Sequence, residues 1–170
     1  MAALGRREAR VRRQGAVRAP WLVVQSGDDE VVDVAGNRRF FEAHAGDPRS
    51  VLVNDVSGQP PAARGDRMTW LPAADAGLRV VGLSHLAVHI SPDNPHYGAS
   101  GTYRNCGSPP FRTEDEVRSC QQAPQVWYGV SGQSAPAGEA GARATFNRHY
   151  QDLERRIGEF LDGVDGRRLA

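Results

Sequence analysis

Behind Pro20, Trp21-Leu22-Val23-Val24-Gln25 is an apolar run without alternation. Such a run marks a strand covered on both faces, as in a parallel sheet. The polar stretch Ser26-Gly27-Asp28-Asp29-Glu30 turns the chain. Asp33 then caps a predicted helix running through Asn37, Phe40, Phe41 and His44, which Gly46 stops. Ser50-Val51-Leu52-Val53 reads as a second short strand, and Leu78-Arg79-Val80-Val81-Gly82-Leu83 as a third. Between them, Gly58 to Gly65 holds Pro60 and Pro61 and reads as a loop. Residues 91–110 contain four prolines and three glycines, too many for a regular element, so a long surface loop is expected. Thr113-Glu114-Asp115-Glu116 fits a capping box, with a short helix after it that turns Val117 and Cys120 inward. Gly129 to Gly141 is a second glycine-rich loop. Finally, Phe146, Tyr150, Leu153, Ile157, Phe160 and Leu161 share one face at helical spacing. They predict an amphipathic helix over 145–162, ended by Gly163 and lying on the sheet.

Strand, helix, strand, strand and terminal helix give an α/β layer fold with a mostly parallel sheet. Three strands are few for 170 residues. One buried-type strand would be left at an edge, so the pattern reads as part of a doubly wound sheet within one domain. No apolar run approaches the roughly 18 residues that span a bilayer, so no transmembrane segment is expected. Residues 1–20 are arginine-rich without the apolar middle of a secretory signal. Within residues 1–18, six arginines against Glu8 leave +5; with +1 for the whole chain, the rest carries −4. A helix over residues 1–19, with Leu4 and Val11 inward, is preferred to a nucleic-acid arm, because no aromatic is interleaved for stacking. All 21 basic residues are arginine, which excludes lysine Schiff-base and P-loop chemistry. Two cysteines, Cys106 and Cys120, are too few for a disulfide scaffold, and free thiols in a cytoplasmic protein are expected.

In open parallel sheets reactive groups gather at the carboxyl ends of strands. Asp28 and Asp29 follow the first predicted strand, and His85 follows the third. A carboxylate beside a histidine is the orienting pair of a hydrolytic triad, where the acid fixes the imidazole tautomer and stabilises the imidazolium. Ser26-Gly27-Asp28-Asp29-Glu30-Val31-Val32-Asp33 resembles the acid turn of the α/β-hydrolase superfamily, in its lysophospholipase and monoacylglycerol-lipase-like branch. Gly82-Leu83-Ser84-His85 followed by Ser91-Pro92-Asp93-Asn94-Pro95-His96-Tyr97-Gly98 resembles the histidine loop of bacterial members. Ala144-Thr145-Phe146-Asn147 is similar to their closing segment. The resemblance implies an α/β-hydrolase type of sheet, Asp29 as triad acid, His85 as general base, Asp33 as helix cap, and hydrolysis of a lipid-like acyl ester without a cofactor.

The family's nucleophile sits in Gly-x-Ser-x-Gly, ahead of the acid and the histidine. Gly129-Val130-Ser131-Gly132-Gln133 and Gly98-Ala99-Ser100-Gly101 both misplace the second glycine, and both lie after His85. The expectation is a C-terminal portion of such a domain that begins between nucleophile and acid and has little esterase activity alone. Two other readings compete. His85, His89, Asp93 and His96 resemble a metal set by spacing, but Leu86 stands where a zinc-protease motif needs glutamate. A non-catalytic module would use loop 91–110, with Tyr97, Tyr103 and Phe111 as anchors or simply as pins to the body. Trp70, Trp127 and Tyr128 read as packing residues, and Asn54 and Asp55 as less fitting acids than Asp29.

Overall fold

The computed structural model describes residues 17–56, 68–108, 112–130 and 135–165. β1 (Leu22–Ser26), α1 (Val34–His44), β2 (Val51–Val56) and β3 (Met68–Pro72) form the first part of a mixed α/β chain. α2 (Glu114–Gln122), β4 (Trp127–Gly129), β5 (Gly141–Arg143) and α3 (Tyr150–Asp165) follow. β1, β2 and β3 make a parallel sheet in that order, with Leu22 opposite Val51 and Leu52 opposite Met68. β4 and β5 make a separate two-stranded parallel ribbon, with Trp127 opposite Gly141.

β1, α1 and β2 lie close to their predicted places, for the predicted reasons. The Asp33 side chain accepts from the Gly36 amide at 2.8 Å and caps α1. The helix ends at His44, just short of Gly46, with the Ala45 amide donating to the Phe41 carbonyl. Phe41 and Ala45 then bury against Leu52, with Trp21 and Val23 beside them. Val17 makes a parallel bridge to Ala45. The helix expected over 1–19 lies mostly outside the described residues, and the loop 58–65, Phe111 and the serine of Gly129-Val130-Ser131 lie wholly outside them.

The third strand is not where the apolar pattern put it. Residues 78–83 form no strand, and β3 lies upstream at 68–72. Arg79 sits at φ 53°, in the left-handed region, which breaks an extended run in its middle. Asp75 and Val80 exchange backbone hydrogen bonds at 2.7 Å each way, and the Asp75 carboxylate accepts from the Leu78 amide at 3.0 Å. A tight turn therefore occupies the place of the strand. Val80 and Leu83 are still fully buried, so their hydrophobicity reports a core and not an extended backbone.

That core is the larger of two. It joins Val80, Leu83, Ala87, Val126, Tyr128, Ala142, Ala144 and Phe146 around a disulfide between Cys106 and Cys120. The cysteines were expected as free thiols; instead they close a loop of 14 residues' separation, both side chains being buried. A bonded pair of this kind belongs to proteins matured under oxidising conditions more often than to reducing ones. The capping box is present as expected. Thr113 accepts from the Glu116 amide at 3.2 Å, and the Glu116 carboxylate from the Thr113 amide at 2.7 Å, which holds Glu116 below its usual range. Cys120 is buried and Val117 half-buried.

α3 starts later than predicted, at Tyr150, and runs past Gly163 to Asp165. Phe146 belongs to the core ahead of the helix. Leu153 alone is fully buried along α3, while Ile157 and Leu161 are exposed. Phe160 and Gly163 line an open groove of about 260 Å³ against Leu22, Val51 and Val53, so the helix lies beside the sheet without sealing onto it. Among the described residues no helix is long and apolar enough to cross a membrane.

Candidate functional site

The acid turn is built at the end of β1. The Asp29 amide donates to the Ser26 carbonyl at 3.4 Å, closing the turn. The two oxygens of the Asp29 carboxylate then divide their work. Oδ1 accepts from the amides of Val31 and Val32, both at 2.8 Å. Oδ2 meets His85 Nδ1 at 2.7 Å, across 56 residues of sequence. A carboxylate only accepts, so in the neutral imidazole Nδ1 carries the proton and Nε2 keeps its lone pair. The Asp29 side chain is 5% exposed and that of His85 44%. Burial alone would raise the Asp29 carboxyl; the bond from His85 and the amides of Val32 and Val31 outweigh it and hold it below the usual aspartate range.

Next to the acid, Glu30 pairs with Arg143 of β5, both side chains being largely covered. The Asp28 carboxylate accepts from the Leu83 amide at 3.3 Å. The two aspartates of the turn therefore have different partners, and it is Asp29 that reaches the imidazole.

His85 was expected at the end of a strand. It stands in a turn, residues 85–89, pinned from the other side by the segment after β5. The Ser84 hydroxyl donates to the Ala144 carbonyl at 2.6 Å and accepts from the Leu86 amide at 3.3 Å. Asn147, 1% exposed, donates its side-chain amide to the Val88 carbonyl at 2.9 Å and its backbone amide to the Ile90 carbonyl at 2.7 Å. The Thr145 hydroxyl donates to the Tyr97 carbonyl at 2.7 Å. Residues 144–147 thus stitch both the histidine turn and the loop beyond it.

That loop is ordered by its own contacts. A methyl group on Gly98 would collide with the carbonyls of Pro92 and Asn94, so the chain closes on itself only with glycine there. His96 meets Tyr97 edge-on and Tyr103 at a tilt, at 4.4 and 5.4 Å between ring centres, and its Nδ1 lies 3.0 Å from the Thr102 hydroxyl. His89 and Asp93 are exposed. Among the described residues no three histidine, cysteine, aspartate or glutamate side chains come together to hold a metal ion. Tyr128 packs on Phe146 in the core and Trp127 lies under the Arg79 guanidinium, both as packing residues. The side chains of Asn54, Asp55 and Trp70 lie outside what is described.

The pair Asp29–His85 can hold an oriented imidazole whose second nitrogen is free to take a proton. Among the described residues nothing bonds to His85 Nε2. Ser26, Glu30, Arg143 and Asn147 also build this site, and the sequence pattern does not single them out for it. Asn147 stands inside a quoted segment, but nothing in its neighbours signals a partner 59 residues away. Comparison with family models, curated proteins and solved structures finds no match for this chain.

Proposed function

We propose that Asp29 and His85 are the acid and base of a serine-hydrolase type of triad, in a chain that forms part of an α/β-hydrolase type of domain. The observation that carries this reading is the 2.7 Å contact between Asp29 Oδ2 and His85 Nδ1, made by two residues in the family's order on two separate turns. The resemblance of residues 26–33, 82–98 and 144–147 supports the same assignment.

In this reading His85 Nε2 takes the proton of an attacking hydroxyl as it adds to the carbonyl carbon of an ester. The protonated imidazole returns that proton to the departing alkoxide as the acyl carbon–oxygen bond breaks. Water then repeats the sequence and releases the carboxylic acid. Asp29 stays ionised throughout and offsets the positive charge that His85 acquires. The attacking serine is supplied by polypeptide other than the described residues, and the substrate is a carboxylic ester with a lipid-like acyl group.

The test uses the purified chain. A fluorophosphonate probe should leave its serines without stoichiometric label. Hydrolysis of p-nitrophenyl acetate, a reactive ester that an oriented imidazole attacks unaided, should exceed the buffer rate and fall to it in His85→Gln. Wild-type hydrolysis in both His85→Gln and Asp29→Asn would overturn the assignment of the pair. Stoichiometric labelling of any serine would overturn the missing nucleophile.

A further inference from the structure

Leu83, two residues ahead of His85, has both polar atoms of its backbone held by side chains from the end of β1. The Ser26 hydroxyl donates to its carbonyl, and the Asp28 carboxylate accepts from its amide at 3.3 Å. Ser26 is fully buried, and its oxygen also accepts from the Asp28 amide at 3.1 Å, so one hydroxyl ties the acid turn to itself and to the histidine segment. Leu83 is fully buried as well. The bond spans 57 residues of sequence. Besides it, the exposed imidazole of His85 and the Asp28 carboxylate join the acid turn to the histidine segment.

We infer that Ser26 is the positioning residue of the Asp29–His85 pair, with Asp28 as its second point of attachment. By locking the Leu83 backbone to the end of β1, the two side chains set the separation between carboxylate and imidazole before any substrate arrives. A preset geometry matters because displacement by about 1 Å at a proton-transfer group costs on the order of 10²-fold in rate. The role rests on the acid–base reading for its purpose, but on backbone geometry for its existence. Ser84 and Asn147 pin the same turn from its opposite side, toward 144–147, and so serve as controls that touch the turn without touching the acid.

The readout is the tautomer of His85, followed by nitrogen-15 NMR of the full chain at neutral pH, together with the low-field Nδ1 proton shared with Asp29. Imidazole free in water favours the Nε2–H form, and only the carboxylate keeps the proton on Nδ1. The wild type is expected to show the Nδ1–H form and the low-field resonance. Ser26→Ala should lose the resonance and move toward the Nε2–H form, and Ser26→Thr, which restores a hydroxyl, should recover it. Ser84→Ala should lower the melting temperature and keep the wild-type tautomer. If Ser26→Ala does not fold, Asp28→Ala removes the acceptor for the Leu83 amide and should shift the tautomer part of the way. A folded Ser26→Ala or Asp28→Ala with the wild-type tautomer and low-field proton overturns the inference. Such a result would leave ester hydrolysis by the pair untouched, whereas loss of hydrolysis with an intact tautomer response would overturn the chemistry and keep the clamp.

Discussion

The two halves of the molecule are held by different means. From Trp21 to Val56 the chain is strand, helix and strand. Its backbone groups are paired in a ladder and a capped helix, and the small core is Phe41, Ala45 and Leu52. From Ala73 to His149 the described residues hold a nine-residue helix and two three-residue strands, yet this part carries the larger core, which includes Phe146, Leu83 and Val80. Buried amides and carbonyls still need partners there. Side chains supply many of them, as Ser84, Thr145 and Asn147 do, and a disulfide adds a covalent tie. A regular layer is stabilised by periodic repetition of one interaction. A loop-built body depends on single contacts, each between residues far apart in sequence. The candidate site straddles the two, with Asp29 from the first and His85 from the second.

The contrast is broken most directly at Phe146, which is fully buried. Phe146→Ala should cost about 3–5 kcal/mol, measured by urea unfolding. If the halves depend on each other only loosely, hydrogen exchange in the Phe146→Ala variant will rise across 73–149 and stay slow in β1 and β2. A uniform rise would mean one cooperative unit. Cys106→Ser with Cys120→Ser should cost roughly 3 kcal/mol, since a closed loop of this length restricts the unfolded chain by about that much. Wild type in a thiol reductant should match the double variant. Ser84→Ala leaves the Leu86 amide without its acceptor and removes the donor to Ala144, for about 1–3 kcal/mol. Thr113→Ala removes one cap of α2, for about 1 kcal/mol, seen as a small drop in melting temperature.

The smallest effect at neutral pH sharpens the comparison at the site itself. Asp29 is held below the usual aspartate value of 3.8, so the folded protein binds fewer protons there than the unfolded chain. The stability it contributes is present above that value and is lost as the pH falls through the lower, folded one. Asp29→Asn should therefore flatten the acid limb of a stability-versus-pH curve, and its difference from wild type should shrink below about pH 3.8. An unchanged acid limb would mean that the pair contributes no such linkage.

The same division governs what can be read from the chain. β1, α1, β2 and α2 were legible because apolar runs, an Asp33 cap and a Thr113 box are local signals. So were Asp29 and His85 as candidates, since their turns carry a short motif each. The third strand was misplaced because Val80 and Leu83 are buried in a turn, and burial alone does not reveal backbone direction. The disulfide was missed because spacing cannot show that loop 91–107 folds back to α2. In the sequence Ser26 is no more than the first residue of a turn. Its partner lies 57 residues on, and a backbone carbonyl leaves no mark in the sequence.

The bond between Cys106 and Cys120 also changes what a protease can do to this molecule. A single cut anywhere between the two cysteines would leave two pieces that travel as one on a non-reducing gel and separate once reductant is added. Nicking in that stretch would therefore not release the C-terminal helix, and the damage would stay hidden until the sulfur link was opened.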